Sequence, residues 1–216
     1  MKKIIASLLI PLLMSQCTPP EEEQTLPMQI ANVYGFHQLK DVATISYTWN
    51  VRRDSATVLT RDWTWDRIKG EVYYSGPDTT VTYQIAEKSS ELDAIDQRFI
   101  NDKYWLMFPF QLAWDTGYRY EVTEGQRSPI QGIQGTKLSI IYNNADGYTP
   151  GDAYDLFLNQ NLEIVEWVFR RGNGPEGRAV TWENVQEFEG IRLTLDHQNE
   201  AGEKFIWFTN VKVTKK

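Results

Sequence analysis

Ala43-Thr44-Ile45-Ser46-Tyr47-Thr48-Trp49-Asn50-Val51 alternates apolar and polar side chains without a break. A period of two places successive side chains on opposite faces of an extended chain. This stretch therefore reads as a strand with one dry face and one wet face, as in an antiparallel sheet packed on one side only. The same pattern recurs outward from it. Val81, Tyr83 and Ile85 alternate with Thr80, Thr82 and Gln84, and Tyr118, Tyr120 and Val122 alternate with Arg119 and Glu121. Further faces are Leu138, Ile140 and Tyr142; Tyr154, Leu156 and Leu158; Val165, Trp167 and Phe169; and Ile191, Leu193 and Leu195. Phe205, Trp207, Val211 and Val213 form the last. Ser75-Gly76-Pro77-Asp78, Asp146-Gly147, Gly172-Asn173-Gly174-Pro175 and Asn199-Glu200-Ala201-Gly202 punctuate the runs as hairpin turns do.

One segment departs from this rhythm. Leu92, Ile95, Phe99 and Leu106 recur at helical spacing, and Ser90 followed by Asp93 resembles a capping signal. The spacing predicts a helix from Glu91 to about Met107, stopped by Pro109. Trp182 to Phe188 reads either as a second helical turn or as strand. The expected class is mainly β (α+β): a curved antiparallel sheet wrapped around, or capped by, one mid-chain helix.

The N-terminus carries a different message. Lys2 and Lys3 precede an apolar run, Ile4 to Leu13, far shorter than the roughly 20 residues of a membrane-spanning helix. It reads as a secretory signal over residues 1–16. Cys17, the single cysteine of the chain, follows Leu13-Met14-Ser15-Gln16 in the manner of a bacterial lipobox, with Gln16 where a small residue is usual. The expectation is cleavage before Cys17 and its acylation, palmitate included; two or more acyl chains anchor a protein stably where one does not. TPPEEEQTLP (Thr18 to Pro27) lacks the apolar content to pack, so residues 17–30 are expected to be a lipidated, acidic tether and 31–216 one domain. Such an acidic run after the acylated cysteine looks like a surface-export signal. A periplasmic and a surface-exposed orientation at the outer membrane both remain open.

Composition narrows the function classes. The net charge of −7 and the absence of a basic stripe argue against nucleic-acid binding. His37 and His197 are the only histidines, and no GxSxG, HExxH, P-loop or Cys–His arrangement is present. No catalytic residue, metal site or cofactor is therefore assigned. Asp93 with Asp96, or Asp102 with Asp115, are carboxylate pairs of the kind a glycosidase uses, but a solvated surface explains them as well. Asp146, Asp152 and Asp155 surround a glycine-bearing loop whose spacing fits no EF-hand.

INDKYWLMFPFQLAWDTG (Ile100 to Gly117), DGYTPGDAYDLFLNQNLEIVEWVFRRG (Asp146 to Gly172) and TWENVQEFEGIRLTLDHQ (Thr181 to Gln198) resemble segments of a family of Bacteroidota lipoproteins with no assigned chemistry. That family is related in fold to the LolA/LolB-type lipoprotein-localisation factors. The resemblance spans roughly Ala31 to Val213. It implies an incomplete antiparallel β-barrel, LolA/LolB-like, with helices plugging its mouth and an apolar cavity between.

Two aromatic groups are candidate binding residues. Tyr104, Trp105, Leu106, Met107, Phe108, Phe110, Leu112 and Trp114 exceed what one helix face needs, and read as a hydrophobic lid or pocket wall or as ordinary core. Trp63 and Trp65 share a strand face and, if exposed, form a platform for sugar rings; sheet packing is the competing reading. The expected function is non-catalytic binding of a lipid or other hydrophobic ligand by a membrane-tethered domain. The alternatives are a surface glycan-binding lipoprotein and an accessory subunit of an outer-membrane complex.

Overall fold

The computed structural model describes residues 24–143 and 150–216. The signal-like segment, Cys17 and the Asp146-Gly147 turn lie outside the described residues. In chain order the elements are α1 (Leu26–Val33), β1 (Val42–Arg52), β2 (Val58–Asp66), β3 (Glu71–Ser75), β4 (Thr80–Gln84) and α2 (Asp93–Trp114). There follow β5 (Tyr118–Arg127), β6 (Gln134–Tyr142), β7 (Ala153–Leu158), β8 (Ile164–Arg170), β9 (Arg178–Thr181), β10 (Glu183–Phe188), β11 (Ile191–Gln198) and β12 (Lys204–Lys215).

The alternating segments pair into two antiparallel sheets, ordered β10-β11-β12-β1-β2-β3-β4 and β5-β6-β7-β8-β9. Trp182 alone separates β9 from β10. Its backbone N–H donates to Val165 O at 2.8 Å, while the Thr181 hydroxyl accepts from Gln198 N at 2.9 Å. This corner joins the sheets into one curved wall, and β4 and β5, at its two ends, are not paired with each other. The result is the curved antiparallel wall with a covering helix that the residue pattern predicts, and the incomplete barrel that the resemblance implies.

The inner face of β1, Ile45, Tyr47, Trp49 and Val51, is buried as expected. Two other faces deviate. Tyr120 and Val122 of β5 lie opposite the buried Ile140 and Leu138, yet remain 40% and 45% exposed because β5 is a free edge of the wall. In β12 the core face is Ile206 and Phe208 rather than Phe205 and Trp207. Irregularities in the β1–β12 and β11–β12 ladders shift its phase, and Asn210 takes a positive φ of 53° at the first. An extra residue flips every side chain beyond it to the other face.

α2 fills the concavity. Phe99 packs on Trp63 and Trp65 of β2, and Phe108 on Tyr154 and Trp167 of β7 and β8, so the helix bridges both sheets. It does not stop before Pro109. A short 3₁₀ turn, Ser90–Leu92, precedes it, no side chain caps it, and it runs on to Trp114 through a kink at Met107 (φ −144°, ψ 35°). Proline removes one helical N–H and so leaves the carbonyl four residues back without its donor. That carbonyl is Trp105 O, and His197 Nε2 lies 2.8 Å from it, with Nδ1 2.9 Å from Thr181 O. With its proton on Nε2, this β11 residue supplies the donor that Pro109 removes.

The domain also begins earlier than residue 31. Pro27 sits in the first turn of α1, where its fixed φ suits a helix start, and Ile30 and Ala31 are fully buried. Helix α1 thus packs from Leu26 on, within the 17–30 stretch expected to be a tether. Trp182 to Phe188 resolves as the corner residue and strand β10.

Candidate functional site

The aromatic run of α2 divides into two environments. Leu106, Met107, Phe108 and Phe110 are fully buried and Leu112 nearly so; these side chains plug the barrel. Trp114 is half-buried elsewhere, against Phe36 and Trp65. Tyr104 and Trp105 instead reach a surface cleft of about 370 Å3 between α2 and the β7–β8 hairpin. That volume is at the lower end of the range for small-molecule sites.

The floor and walls of this cleft are aromatic. Tyr154 of β7 lies opposite Phe169 of β8, and Trp167 shares the face of Phe169 by strand alternation. The ring centroids are 5.3 Å apart for Tyr154–Phe169, 5.0 Å for Tyr154–Trp167 and 4.8 Å for Trp105–Trp167. Tyr104 approaches Tyr154 at 6.1 Å. Gln97, Asn101, Asp152 and Arg171 form the rim. Asp152 accepts from Gly172 N at 2.7 Å, whereas Arg171 is exposed and has no ion-pair partner among the described residues. The shape offers flat apolar contact below and hydrogen-bonding groups above, which suits an amphiphilic ligand.

The carboxylates are committed elsewhere. Asp102 is fully buried and accepts from Arg61 Nη1 (3.0 Å to each oxygen), Trp63 Nε1 (2.9 Å) and Asn101 Nδ2 (3.0 Å). The Arg61 guanidinium lies 4.3 Å from the Trp49 ring. Burial pushes the Asp102 carboxyl up to about 6, opposed by Arg61. Asp115 accepts from the hydroxyls of Tyr104 (2.8 Å) and Tyr142 (2.7 Å). Asp93 binds Lys88, and Asp96 accepts from Tyr83 at 3.0 Å. Lys103 lies between Trp65, Phe99 and Trp114, its Nζ 5.1–5.5 Å from their rings; burial pushes its amine down to about 8.

His197 is fully buried among Trp105, Trp182 and Phe208, and burial lowers its pKa to about 4 against the pull of the two carbonyls. His37 is exposed in the 3₁₀ turn Phe36–Asp41, on a different element. Of the acidic loop residues, Asp146 lies outside the described residues, Asp152 is on the cleft rim, and Asp155 pairs with Arg170 at 2.9 Å and Ser139 at 2.6 Å. No group of three or more metal-type side chains occurs among the described residues.

Trp63 and Trp65 share a face as expected, but that face points into the barrel. Trp63 is 1% exposed, 4.5 Å from Tyr74 and 5.4 Å from Phe99, and Trp65 is half-buried beside Trp114. Trp63 is therefore core rather than an exposed platform for sugars, because α2 covers it. The cleft residues on the strands, Tyr154, Trp167 and Phe169, are legible in sequence only as strand faces. Nothing local marks Gln97, Asn101 or Arg171 as rim.

No protein-family model matches the chain, and no curated protein matches it. Among solved structures the chain is similar to a DUF1329 family protein from Desulfovibrio piger, with a TM-score of 0.49 and 11% identity over 87% of this chain and 92% of that one. It is also similar to a LolA superfamily protein from Nitrosomonas europaea, with a TM-score of 0.48 and 9% identity over 88% of this chain and 93% of that one. The fold assignment rests on the strand order and the covering helix described above.

Proposed function

We propose that this chain is a cell-envelope lipoprotein, tethered through an acylated Cys17, whose domain binds a hydrophobic or amphiphilic ligand without transforming it. The observation that carries this reading is the cleft over the half-buried Trp105 and Phe169, with the buried Tyr104, Tyr154 and Trp167 beneath them, while the barrel interior is filled by side chains of α2. The ligand site is accordingly the cleft beside the plug and not a central cavity. Burial of ligand surface there contributes about 25 cal/mol per Å2 of apolar area. A binding role rather than a catalytic one is supported by the engagement of Asp102 with Arg61 and of Asp115 with two tyrosines. No helix among the described residues is long and apolar enough to cross a membrane, so the proposed attachment rests on Cys17.

The binding test is a titration of the purified domain with a monomeric single-chain amphiphile, followed by tryptophan fluorescence and native mass spectrometry. A saturable spectral change, weakened in Trp105→Ala, is expected. Failure of every amphiphile to bind, with none retained on purification, would overturn the reading. For the anchor, labelled palmitate incorporated into the wild type and absent from Cys17→Ala is the expected result; soluble secretion of the unmodified chain would refute it.

A further inference from the structure

A second hollow adjoins the cleft, and its chemistry is opposite. Arg52, Arg53, Arg178 and Lys204 border a concavity of about 400 Å3 in a chain whose net charge is −7. The fold gathers them. The pairing of Val51 with Ile206 brings the end of β1 beside the start of β12, and Arg178 opens β9 opposite Phe169.

Two carboxylates, Asp54 and Glu203, also border this hollow, against four cationic side chains. Asp54 accepts from the backbone N–H groups of Ala56 (2.9 Å) and Thr57 (2.8 Å) within its own turn. Glu203 accepts from Asn199 at 3.1 Å, and Lys204 pairs with Asp196 at 2.9 Å. Arg52, Arg53 and Arg178 have no carboxylate within ion-pair distance among the described residues. Two of them rest on aromatic faces: Arg178 lies 4.0 Å from the Phe205 ring and Arg52 5.7 Å from that of Trp207. Stacking holds a guanidinium by its plane; Arg52 donates its Nε–H to Lys204 O at 3.4 Å, and Arg178 keeps its N–H edge toward the hollow for an oxyanion.

The hollow and the cleft share a wall. Between the β11–β12 pairs His197–Ile206 and Gln198–Lys204, Phe205 is the extra residue of a bulge. A bulge re-aims a side chain, and this one lies 6.1 Å from Trp105, which lines the cleft. Phe205 itself lines the hollow. A chain of ring contacts therefore runs from the buried Trp167 through the half-buried Trp105 to Phe205 and ends at the Arg178 guanidinium.

Building on the cleft as the ligand site, we infer that the basic hollow binds the anionic headgroup, carboxylate or phosphate, of an amphiphile whose apolar part lies in the aromatic cleft. The arginines select charge, and the cleft selects an apolar body.

The test compares two probes with one tail, cis-parinaric acid and its methyl ester, and adds inorganic phosphate as a free anion. The proteins are the wild type, Arg53→Gln/Arg178→Gln, Arg53→Lys/Arg178→Lys and Trp105→Ala. The wild type is expected to hold the acid about fivefold more tightly than the ester, with the preference shrinking at high salt. Arg53→Gln/Arg178→Gln removes the preference and leaves ester affinity unchanged; the lysine variant retains part of it. Trp105→Ala weakens both probes alike. Equal affinities in the wild type, or a preference that survives in Arg53→Gln/Arg178→Gln, overturn the headgroup assignment while the cleft reading stands. Absence of binding by both probes overturns the cleft reading and this inference with it. Phosphate bound as tightly as the acid, and lost in the glutamine variant, identifies a free-anion site and overturns the headgroup assignment.

Discussion

Two strand pairs of aromatic residues have the same spacing and the same burial, with Trp63 and Trp167 1% and 2% exposed and Trp65 and Phe169 half-buried, but different neighbours. Trp63 and Trp65 of β2 sit under the first half of α2, where Phe99 covers them and Asp102 accepts the Trp63 indole N–H. Trp167 and Phe169 of β8 face α2 close to its kink, where Trp105 and Phe108 approach Trp167 at 4.8 and 5.2 Å but leave a cleft above Phe169. The difference lies in what crosses over each pair. The straight helix segment closes over one row, while beside the kink a cleft stays open at Phe169 and Trp105; both strand tryptophans are core.

The strongest way to break this contrast is to open the covered side. Asp102→Ala leaves Arg61 buried without its anion and is expected to cost about 3–5 kcal/mol, read by urea unfolding. Trp63→Ala is expected to cost a similar amount, about 3–5 kcal/mol, by cavity formation. A loss below about 1 kcal/mol for either would mean that α2 does not seal this side.

The next test acts on the kink. Burial pushes the pKa of His197 down from 6.5 to about 4, opposed by the Thr181 and Trp105 carbonyls that face its two ring nitrogens. The unfolded chain therefore binds a proton that the folded chain refuses between these values. The stability His197 supplies is fully present above about pH 6.5 and is lost as pH falls toward 4. Comparison of wild type with His197→Gln is expected to show an acid-side loss on the order of 3 kcal/mol in the wild type alone. Parallel stability–pH curves would exclude that role.

On the open side the effects move from stability to binding. Trp105→Ala is expected to cost about 1–2 kcal/mol of stability and to weaken amphiphile binding about tenfold. The smallest effect belongs to the free edge: Tyr120→Ser and Val122→Thr should each change stability by less than about 0.5 kcal/mol, although they share an inner face with buried partners. A thermal melt separates these cases, and a loss above about 1 kcal/mol at Val122 would show that the edge is covered.

The fold was legible wherever one face of a strand is dry. Ile45, Tyr47, Trp49 and Val51 announce β1, and Leu138, Ile140 and Tyr142 announce β6, because a one-residue slip would expose every apolar side chain at once. The β12 face was misleading because Phe205 and Asn210 sit at irregularities of the ladder, which alternation does not reveal. The helix was legible at its start but not past Pro109, because the donor that satisfies Trp105 O lies 92 residues away in sequence, at His197. At the site, the sequence marked Tyr104 to Trp114 as unusually apolar. It could not separate Phe108, which plugs the barrel, from Trp105, which lines the cleft, since helical neighbours diverge by direction and not by composition.

By itself, then, the sequence determined a mainly antiparallel sheet with one long apolar helix, and its N-terminus carries the pattern expected of a lipidated export signal. Those properties are local: period, turn chemistry and the order of residues around one cysteine. Only the tertiary structure decided that the barrel interior is filled, that Trp63 is core, that an aromatic cleft stays open beside Trp105, and that Arg178 of β9 meets Arg52 and Arg53 from the end of β1 next to it. Burial and charge pairing depend on what packs across from a side chain, and that partner is set by the path of the whole chain.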